Sequence, residues 1–238
     1  PVEITQAYLA RIEKYSHLNA YITVDYEGAM NAARIAEKEL SHGLIRSPIH
    51  GLPVAVKDQF HVKGMRTTLG GNIYDKISTE DATVVARLRD AGAIFLGKLN
   101  LSEYALWLNI QHPFGVPKNP WDITRTTGGS SGGSVSAVPA GLGPLSVGTD
   151  AGGSIRTPAS FCGLVGLKPT FGRVPQAVGG DWGGISVSGP IARTVQDTAL
   201  AMNVMSLPDS RDWNALPSDS VDYLKETEIG VEGLNVAF

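Results

Sequence analysis

Residues 126–154 read TTGGSSGGSVSAVPAGLGPLSVGTDAGGS, and this stretch decides both the fold class and the candidate site. Low charge and high glycine content are also features of flexible linkers. Linkers of that kind are dominated by Gly and Ser, whereas Val, Leu and Ile are threaded through the longer glycine-rich segment 126–189 that begins with this stretch. We therefore expect it to be folded, with a short buried strand at 144–148 between two glycine-rich turns that carry serines.

Helical and strand-like patterns alternate on both sides of this stretch. The first helix places Ile4, Tyr8, Leu9 and Ile12 on one face. Helices are predicted at residues 4–18, 27–40, 80–91, 102–108 and 193–206, and strands at 52–57, 93–97, 144–148 and 185–187. Strands that alternate with helices predict an α/β fold with a layered sheet.

Composition limits the class of protein. The 238 residues are 42% hydrophobic and 18% charged, which is typical of a globular chain, and one large domain or two small ones would fit this length. The net charge of -3 argues against nucleic acid as a direct partner. The sequence contains no run of about 18 apolar residues, so a membrane span is not expected. We expect a small, roughly neutral substrate; a homodimer is left open.

Cys162 is the only cysteine and lies in an apolar segment. One cysteine makes neither a disulfide framework nor a thiolate cluster for a metal, so we expect no metal site and no cofactor. Such cysteine usage fits a reducing, cytoplasmic setting. Cys162 itself is interpreted as a small buried apolar residue rather than a reactive thiol.

The glycine-rich turns at 128–134 and 148–154 each present serines on an exposed backbone. Glycine lets a substrate approach the main chain, and successive N–H groups can point at one developing oxyanion. Tight turns under a sheet are the structural alternative. A phosphate cradle is disfavoured because neither turn ends in Gly-Lys-Ser/Thr, and no dinucleotide fingerprint follows a strand.

A serine nucleophile needs a base, and Lys57 is the strongest candidate. None of the five histidines lies in a setting that singles it out. Lys57 ends the apolar run 52–57, where burial lowers a lysine pKa toward the range in which a neutral amine accepts a proton. The alternative is a lysine that extends from a strand end into solvent.

Three segments, GLPVAVKD (51–58), GGSSGGS (128–134) and the run from GTDAGGSIRTP to GRVP (148–175), together resemble the amidase-signature family. The resemblance continues to SGPIARTVQD (188–197) and covers nearly the whole chain. It implies an amidase-signature α/β fold, a twisted mixed β-sheet flanked by helices on both faces. It further implies that 1–238 is the N-terminal portion of one such domain, lacking its C-terminal part and a short N-terminal piece.

The resemblance also assigns the site residue by residue. It implies a nucleophile, Ser154, a cis-bonded serine, Ser130, and a base, Lys57. Ser130 would take the proton of Ser154 and pass its own to Lys57. The implied oxyanion hole is formed by the backbone N–H groups of Ala151, Gly152 and Gly153, and the implied supporting residues are Ser131, Asp150 and Arg156.

The implied function is hydrolysis of linear carboxylic amides to acid and ammonia or amine through a Ser154 acyl-enzyme. A stand-alone amidase acting on a small-molecule amide is the main hypothesis, favoured weakly by residues 179–185. The alternatives are the glutaminase subunit of a tRNA-dependent amidotransferase and a non-catalytic binding protein. We also expect residues 233–238 to begin a buried strand after a surface connection at 208–232, and the isolated segment to be inactive.

Overall fold

Residues 1–106, 112–178, 183–218 and 220–235 are described by the structure, a computed structural model. The α-helices are α1 (Val2–Lys14), α2 (Tyr26–Ser41), α3 (Thr83–Asp90), α4 (Gly132–Ala137), α5 (Arg156–Phe161), α6 (Val195–Met205) and α7 (Tyr223–Glu226). The strands are β1 (Tyr21–Val24), β2 (Pro53–Lys57), β3 (Arg66–Thr67), β4 (Lys76–Ile77), β5 (Ile94–Leu99), β6 (Leu145–Asp150), β7 (Val165–Gly166) and β8 (Val187–Ala192).

The main sheet has the strand order β1-β5-β2-β6-β8-β7. Its centre is parallel, because β2 pairs in parallel with both β5 and β6. Its flanks are antiparallel, with β1 against β5 and β8 against β6 and β7. Strands β3 and β4 form a separate antiparallel pair. Parallel strands run in one direction, so β2, β5 and β6 bring their carboxyl ends to the same edge of the sheet.

Both faces of the sheet are covered. In β2 the side chains alternate: Val54 and Val56 pack into a core shared with α3 and α6, and Ala55 packs into a core shared with α1 and α2. All five residues of this strand are buried, as expected for a central strand covered on both sides. The predicted α/β fold, a mixed sheet flanked by helices on both faces, is therefore confirmed.

Several predicted elements are confirmed with shifted ends, and others are wrong. The helix predicted at 102–108 is instead a short 3₁₀ turn at Glu103–Ala105, because Tyr104 and Ala105 adopt left-handed φ angles of 52° and 56°, which a right-handed α-helix does not contain. Residues 107 and 108 lie outside the described part. The strand predicted at 185–187 starts at Val187 and continues through Gly189 and Pro190, which the sequence pattern treats as breaks.

Two further expectations were wrong at the ends of the chain. On α1, Leu9 and Ile12 are buried but Ile4 is 45% exposed. Residues 231–234 form a turn in which the Leu234 N–H donates to the Val231 carbonyl, residues 233–235 are not part of a strand, and 236–238 lie outside the described residues. The connection at 208–232 is largely exposed in its described part, and it contains α7.

The glycine-rich stretch contains a helix that its composition hides. Helix α4 begins at Gly132, within the first glycine-rich segment, and is buried over its whole length. A Cβ on Gly133 would lie 2.3 Å from the Ala20 carbonyl oxygen and 2.4 Å from the Asn100 nitrogen. These contacts are with backbone atoms, which cannot turn aside. Glycine at this position therefore allows α4 to pack directly against the residues that flank the start of β1 and the end of β5.

Candidate active site

The candidate site lies at the edge where the parallel strands end. Lys57 is the last residue of β2, and Asp150 is the last residue of the adjacent parallel strand β6. In open α/β sheets, ligands bind outside the carboxyl ends of the strands. The glycine-rich segments at 128–134 and 148–154 meet at this same edge, where the Ser131 N–H donates to the Ser154 carbonyl.

Lys57 is the base predicted from the sequence, and its ammonium group is wholly buried. Its Nζ lies 2.6 Å from Ser130 Oγ and 2.8 Å from Thr149 Oγ1. The Thr149 hydroxyl in turn donates to Gln59 Oε1 at 2.8 Å. The structure thus brings together two of the predicted catalytic side chains, 73 residues apart in sequence, at hydrogen-bond distance.

Burial sets the charge of Lys57. Removal from water lowers the pKa of its amine from 10.5 to about 7, and the Asp150 carboxylate opposes this by favouring the ammonium form. A lysine with such a pKa is substantially neutral near pH 7 and can accept a proton. The alternative of a strand-end lysine extending into solvent is excluded, because the side chain is fully enclosed.

Ser130 and Ser131 are held in the turn before α4. The Gly129–Ser130 peptide bond is cis, as the family resemblance implied. Ser130 is buried and its carbonyl accepts the Ser102 N–H, while the Ser131 N–H donates to the Ser154 carbonyl at 3.3 Å. The Ser131 backbone therefore links the turn that carries Ser130 to the turn that carries Ser154.

Asp150 organises the turn that presents Ser154. Its buried carboxylate accepts the N–H groups of Gly153 at 2.7 Å, Ile155 at 3.2 Å and Arg156 at 3.3 Å. It also receives two hydrogen bonds from the Arg156 guanidinium at 2.9 and 3.0 Å. Burial alone would raise the pKa of Asp150, but these donors outweigh it and lower the pKa to about 2. Asp150 is therefore a fixed anion that folds the 151–155 turn around itself.

The backbone N–H groups of this turn have two different uses. That of Gly153, which the resemblance placed in the oxyanion hole, donates to Asp150 Oδ1 instead. Among the described residues, the N–H groups of Ala151 and Gly152 have no hydrogen-bond partner. Both residues are exposed, so their N–H groups are available to a bound ligand.

A cavity of about 110 Å³ opens between these turns. Ser130, Ala151 and Ser154 all line this cavity. Ser130, the hydrogen-bond partner of the buried Lys57, therefore faces the same cavity as the half-exposed Ser154. The remaining lining residues are apolar or bear hydroxyl groups: Ala105, Leu106, Thr149, Ile185 and Ser186.

A second buried network adjoins Lys57 and was missed by the sequence analysis. Lys98 Nζ lies 2.8 Å from Asp58 Oδ1 and 2.8 Å from Thr67 Oγ1. Asp58 also accepts the backbone N–H and the hydroxyl of Thr68 at 2.8 and 2.5 Å. Lys98 does lie within an apolar run, as Lys57 does, and that pattern was the available signal. The pair joins β5 to the residue that follows β2.

Two kinds of feature are absent from the described residues. No cluster of three or more His, Cys, Asp and Glu side chains there is placed to hold a metal ion. None of the helices within those residues combines the length and apolar character needed to cross a membrane. Cys162 is buried, and its pKa is raised by burial to about 12, as expected for an unreactive thiol.

Comparison with known proteins places this chain in a family. A family model described as Amidase matches residues 3–238. A curated glutamyl-tRNA(Gln) amidotransferase subunit of Nitrosococcus oceani is 44% identical over 98% of this chain and 49% of its own length. The chain belongs to the amidase-signature family, and it spans about half the length of the curated relatives that it matches.

Solved structures agree in fold. Native peptide amidase from Stenotrophomonas maltophilia is 35% identical and superposes with a TM-score of 0.85, over 94% of this chain and 49% of that one. A structure of a vestigial protein complex, described as revealing the origins of an s-triazine catabolic enzyme, is 37% identical with a TM-score of 0.90, over 98% and 52%. Both likenesses extend over almost the whole chain.

Proposed function

We propose that this chain carries the catalytic centre of an amide hydrolase, with Ser154 as nucleophile and Lys57 and Ser130 as its proton relay. The observation that carries the proposal is the 2.6 Å contact between Lys57 Nζ and Ser130 Oγ, made by a wholly buried lysine beside a cavity that Ser130 shares with Ser154. Burial favours the neutral amine, which is the form that can act as a base.

The reaction follows from these positions. Ser154 Oγ attacks the amide carbonyl carbon while its proton passes to Ser130, whose own proton passes to Lys57. The carbonyl oxygen becomes an oxyanion, which the free N–H groups of Ala151 and Gly152 stabilise. The relay then runs in reverse and protonates the leaving nitrogen as the C–N bond breaks. Water, activated by the same pair, releases the acyl group from Ser154 as the acid.

Asp150 and Arg156 have supporting roles in this proposal. Because the Asp150 carboxylate binds the Gly153 N–H, we assign that N–H to holding the turn rather than to the oxyanion hole. The guanidinium of Arg156 balances the charge of Asp150. Neither side chain is assigned a step in the chemistry.

The two hypotheses for this reaction, a glutaminase subunit and a stand-alone amidase, differ in the class of substrate. The curated relatives, 41–44% identical and named as amidotransferase subunits, favour glutamine as the amide and ammonia delivery to a partner protein. The solved peptide amidase, at 35% identity, favours a stand-alone amidase. Most of the segment 179–185, which favoured that hypothesis, lies outside the described residues. The comparisons thus favour the amidotransferase alternative over the hypothesis placed first by the sequence analysis.

The test of the reaction uses the full-length protein. We expect Ser154→Ala to remove amide turnover and labelling by a fluorophosphonate probe, because both need the serine hydroxyl. Mass spectrometry of the labelled wild type should locate the adduct on Ser154. An adduct on another residue would overturn the assignment, and a folded protein that neither labels nor turns over any amide would support a binding protein instead.

The test of the substrate is a hydrolysis screen of glutamine, peptide amides, aliphatic amides and aryl amides. Ammonia release from glutamine well above that from the other amides is the result expected of a glutaminase subunit. Preference for a peptide or simple amide would return the stand-alone amidase to first place.

A further inference from the structure

Lys57 has a second hydrogen-bond partner that the proposed relay does not use. Its Nζ is 2.8 Å from Thr149 Oγ1, and the Thr149 hydroxyl is 2.8 Å from Gln59 Oε1. All three side chains are buried, with Gln59 only 3% exposed. A buried chain of hydrogen bonds therefore runs from Gln59 through Thr149 to the Lys57 amine, and Ser130 is a separate partner of the same amine.

The donors and acceptors along this chain fix its direction. The Gln59 carbonyl oxygen only accepts, so the single hydroxyl proton of Thr149 is donated to it. Thr149 Oγ1 then faces Lys57 with lone pairs alone. Lys57 must donate to Thr149, whether it is an ammonium with three N–H groups or a neutral amine with two.

This direction decides where the lone pair of neutral Lys57 is used. With one N–H committed to Thr149, the lone pair is available to the hydroxyl proton of Ser130, 2.6 Å away. Without the Gln59 acceptor, the Thr149 hydroxyl can rotate and donate to the same lone pair. Lys57 would then be a less available acceptor for the proton of Ser130.

We propose that Gln59 is a positioning residue of the proton relay: acting through Thr149, it keeps the lone pair of neutral Lys57 free for Ser130. The proposal rests on the proposed function. Gln59 directly follows Asp58 in the chain, and the charged groups near the lysine are Asp150, which is paired with Arg156, and Asp58, which is paired with Lys98. The hydrogen bonds from Gln59 through Thr149 to Lys57 involve neither of these carboxylates.

The test compares four variants of the full-length protein, Gln59→Met, Gln59→Glu, Thr149→Val and the Gln59→Met/Thr149→Val double variant. Methionine matches glutamine in length but has no comparable acceptor. We expect Gln59→Met to lower kcat about tenfold at pH values above the acid limb, the range in which protonation of Lys57 reduces activity. KM should be unchanged. A tenfold loss is the size expected from one competing hydrogen bond. Its acid limb should move to lower pH, because the rotated Thr149 hydroxyl stabilises the neutral amine.

The other variants separate positioning from a structural effect. Gln59→Glu keeps an acceptor, so we expect kcat at high pH to recover, with an acid limb at higher pH because its negative charge favours the ammonium. In the Thr149→Val background, Gln59→Met should have no further effect, since no hydroxyl remains to rotate. An equal loss from Gln59→Met in both backgrounds, whether from misfolding or another role, would overturn the proposal.

A measurement without turnover distinguishes this proposal from the proposed function. The pKa of Lys57 can be followed by NMR of ¹³C- and ¹⁵N-labelled lysine side chains, with the Lys57 signal assigned by its loss in Lys57→Arg. Gln59→Met should lower that pKa even if the nucleophile proves not to be Ser154. An unchanged pKa would refute the role of Gln59 and leave the assignment of Ser154 intact.

Discussion

At the scale of single residues, the charge state of Lys57 sets the pH range in which the site works. Its pKa is lowered to about 7, so the amine is protonated below that pH and cannot act as a base. We expect kcat/KM of the full-length protein to rise with pH through about 7 and to level off above it. Initial rates between pH 5 and 9 test this. The residual activity of Lys57→Ala is the control and should lack this limb; an unchanged limb would assign it to another group.

The Asp150 carboxylate controls the shape of the turn that carries Ser154. Asp150→Asn removes the charge that three backbone N–H groups and a guanidinium share, so we expect a loss of about 2–3 kcal/mol in the free energy of unfolding and a large fall in kcat. Arg156→Gln, the matched control, should cost clearly less, since its side chain is 54% exposed. Urea denaturation measures both; equal costs would contradict this account.

Some residues of the site could be identified from the sequence and others could not. Lys57 could be singled out because a lysine that ends an apolar strand is unusual, and the serines because glycine surrounds them. Thr149 and Gln59 could not, because a threonine and a glutamine are unremarkable until the fold brings them together from 90 residues apart. The use of the Gly153 N–H by Asp150 depends on turn geometry, which spacing does not determine.

At the scale of elements, the Lys98–Asp58 pair connects β5 to the end of β2 and to β3 through Thr67. Both side chains are completely buried, and removing either one leaves an unpaired charge in the core. We expect Asp58→Asn and Lys98→Met each to cost about 3–5 kcal/mol in the free energy of unfolding, and the double variant to cost clearly less than their sum.

The exposed pair of Arg66 and Asp75 offers a control for that cycle, because its side chains are 40% and 53% exposed. Arg66→Gln should cost less than about 1 kcal/mol. Urea denaturation of each variant gives the energies. Additive losses at Lys98 and Asp58 would show that the two charges do not depend on each other.

Elements with a regular apolar period were predicted, and those defined by tertiary contacts were not. Strand β2 and helices α2 and α6 follow directly from their patterns. Helix α4 was missed because glycine and serine disfavour helices in isolation; here burial over its whole length outweighs propensity. The predicted helix at 102–108 is wrong because Tyr104 and Ala105 adopt left-handed φ angles, which the pattern of residue types does not indicate.

At the scale of the whole molecule, the site depends on the sheet order. Lys57 comes from β2, Ser130 from the turn before α4, and Ser154 from the turn after β6, and the parallel arrangement of β2 and β6 brings them to one edge. Cores on both faces hold these strands in register. The three side chains are therefore positioned by one continuous sheet rather than by one local motif.

Groups assembled in this way should behave as a single unit. We expect Lys57→Ala and Ser130→Ala each to lower kcat about 10³-fold or more in the full-length protein, because either change interrupts the same proton path. The double variant should then lose little beyond either single one, since a relay already broken cannot be broken again. Lys168→Ala, a lysine change outside the site, is the control, and its effect on kcat should be independent of Ser130→Ala, so that the two fold-changes multiply. Independent, multiplicative losses from Lys57 and Ser130 would show that the two side chains do not share one proton path.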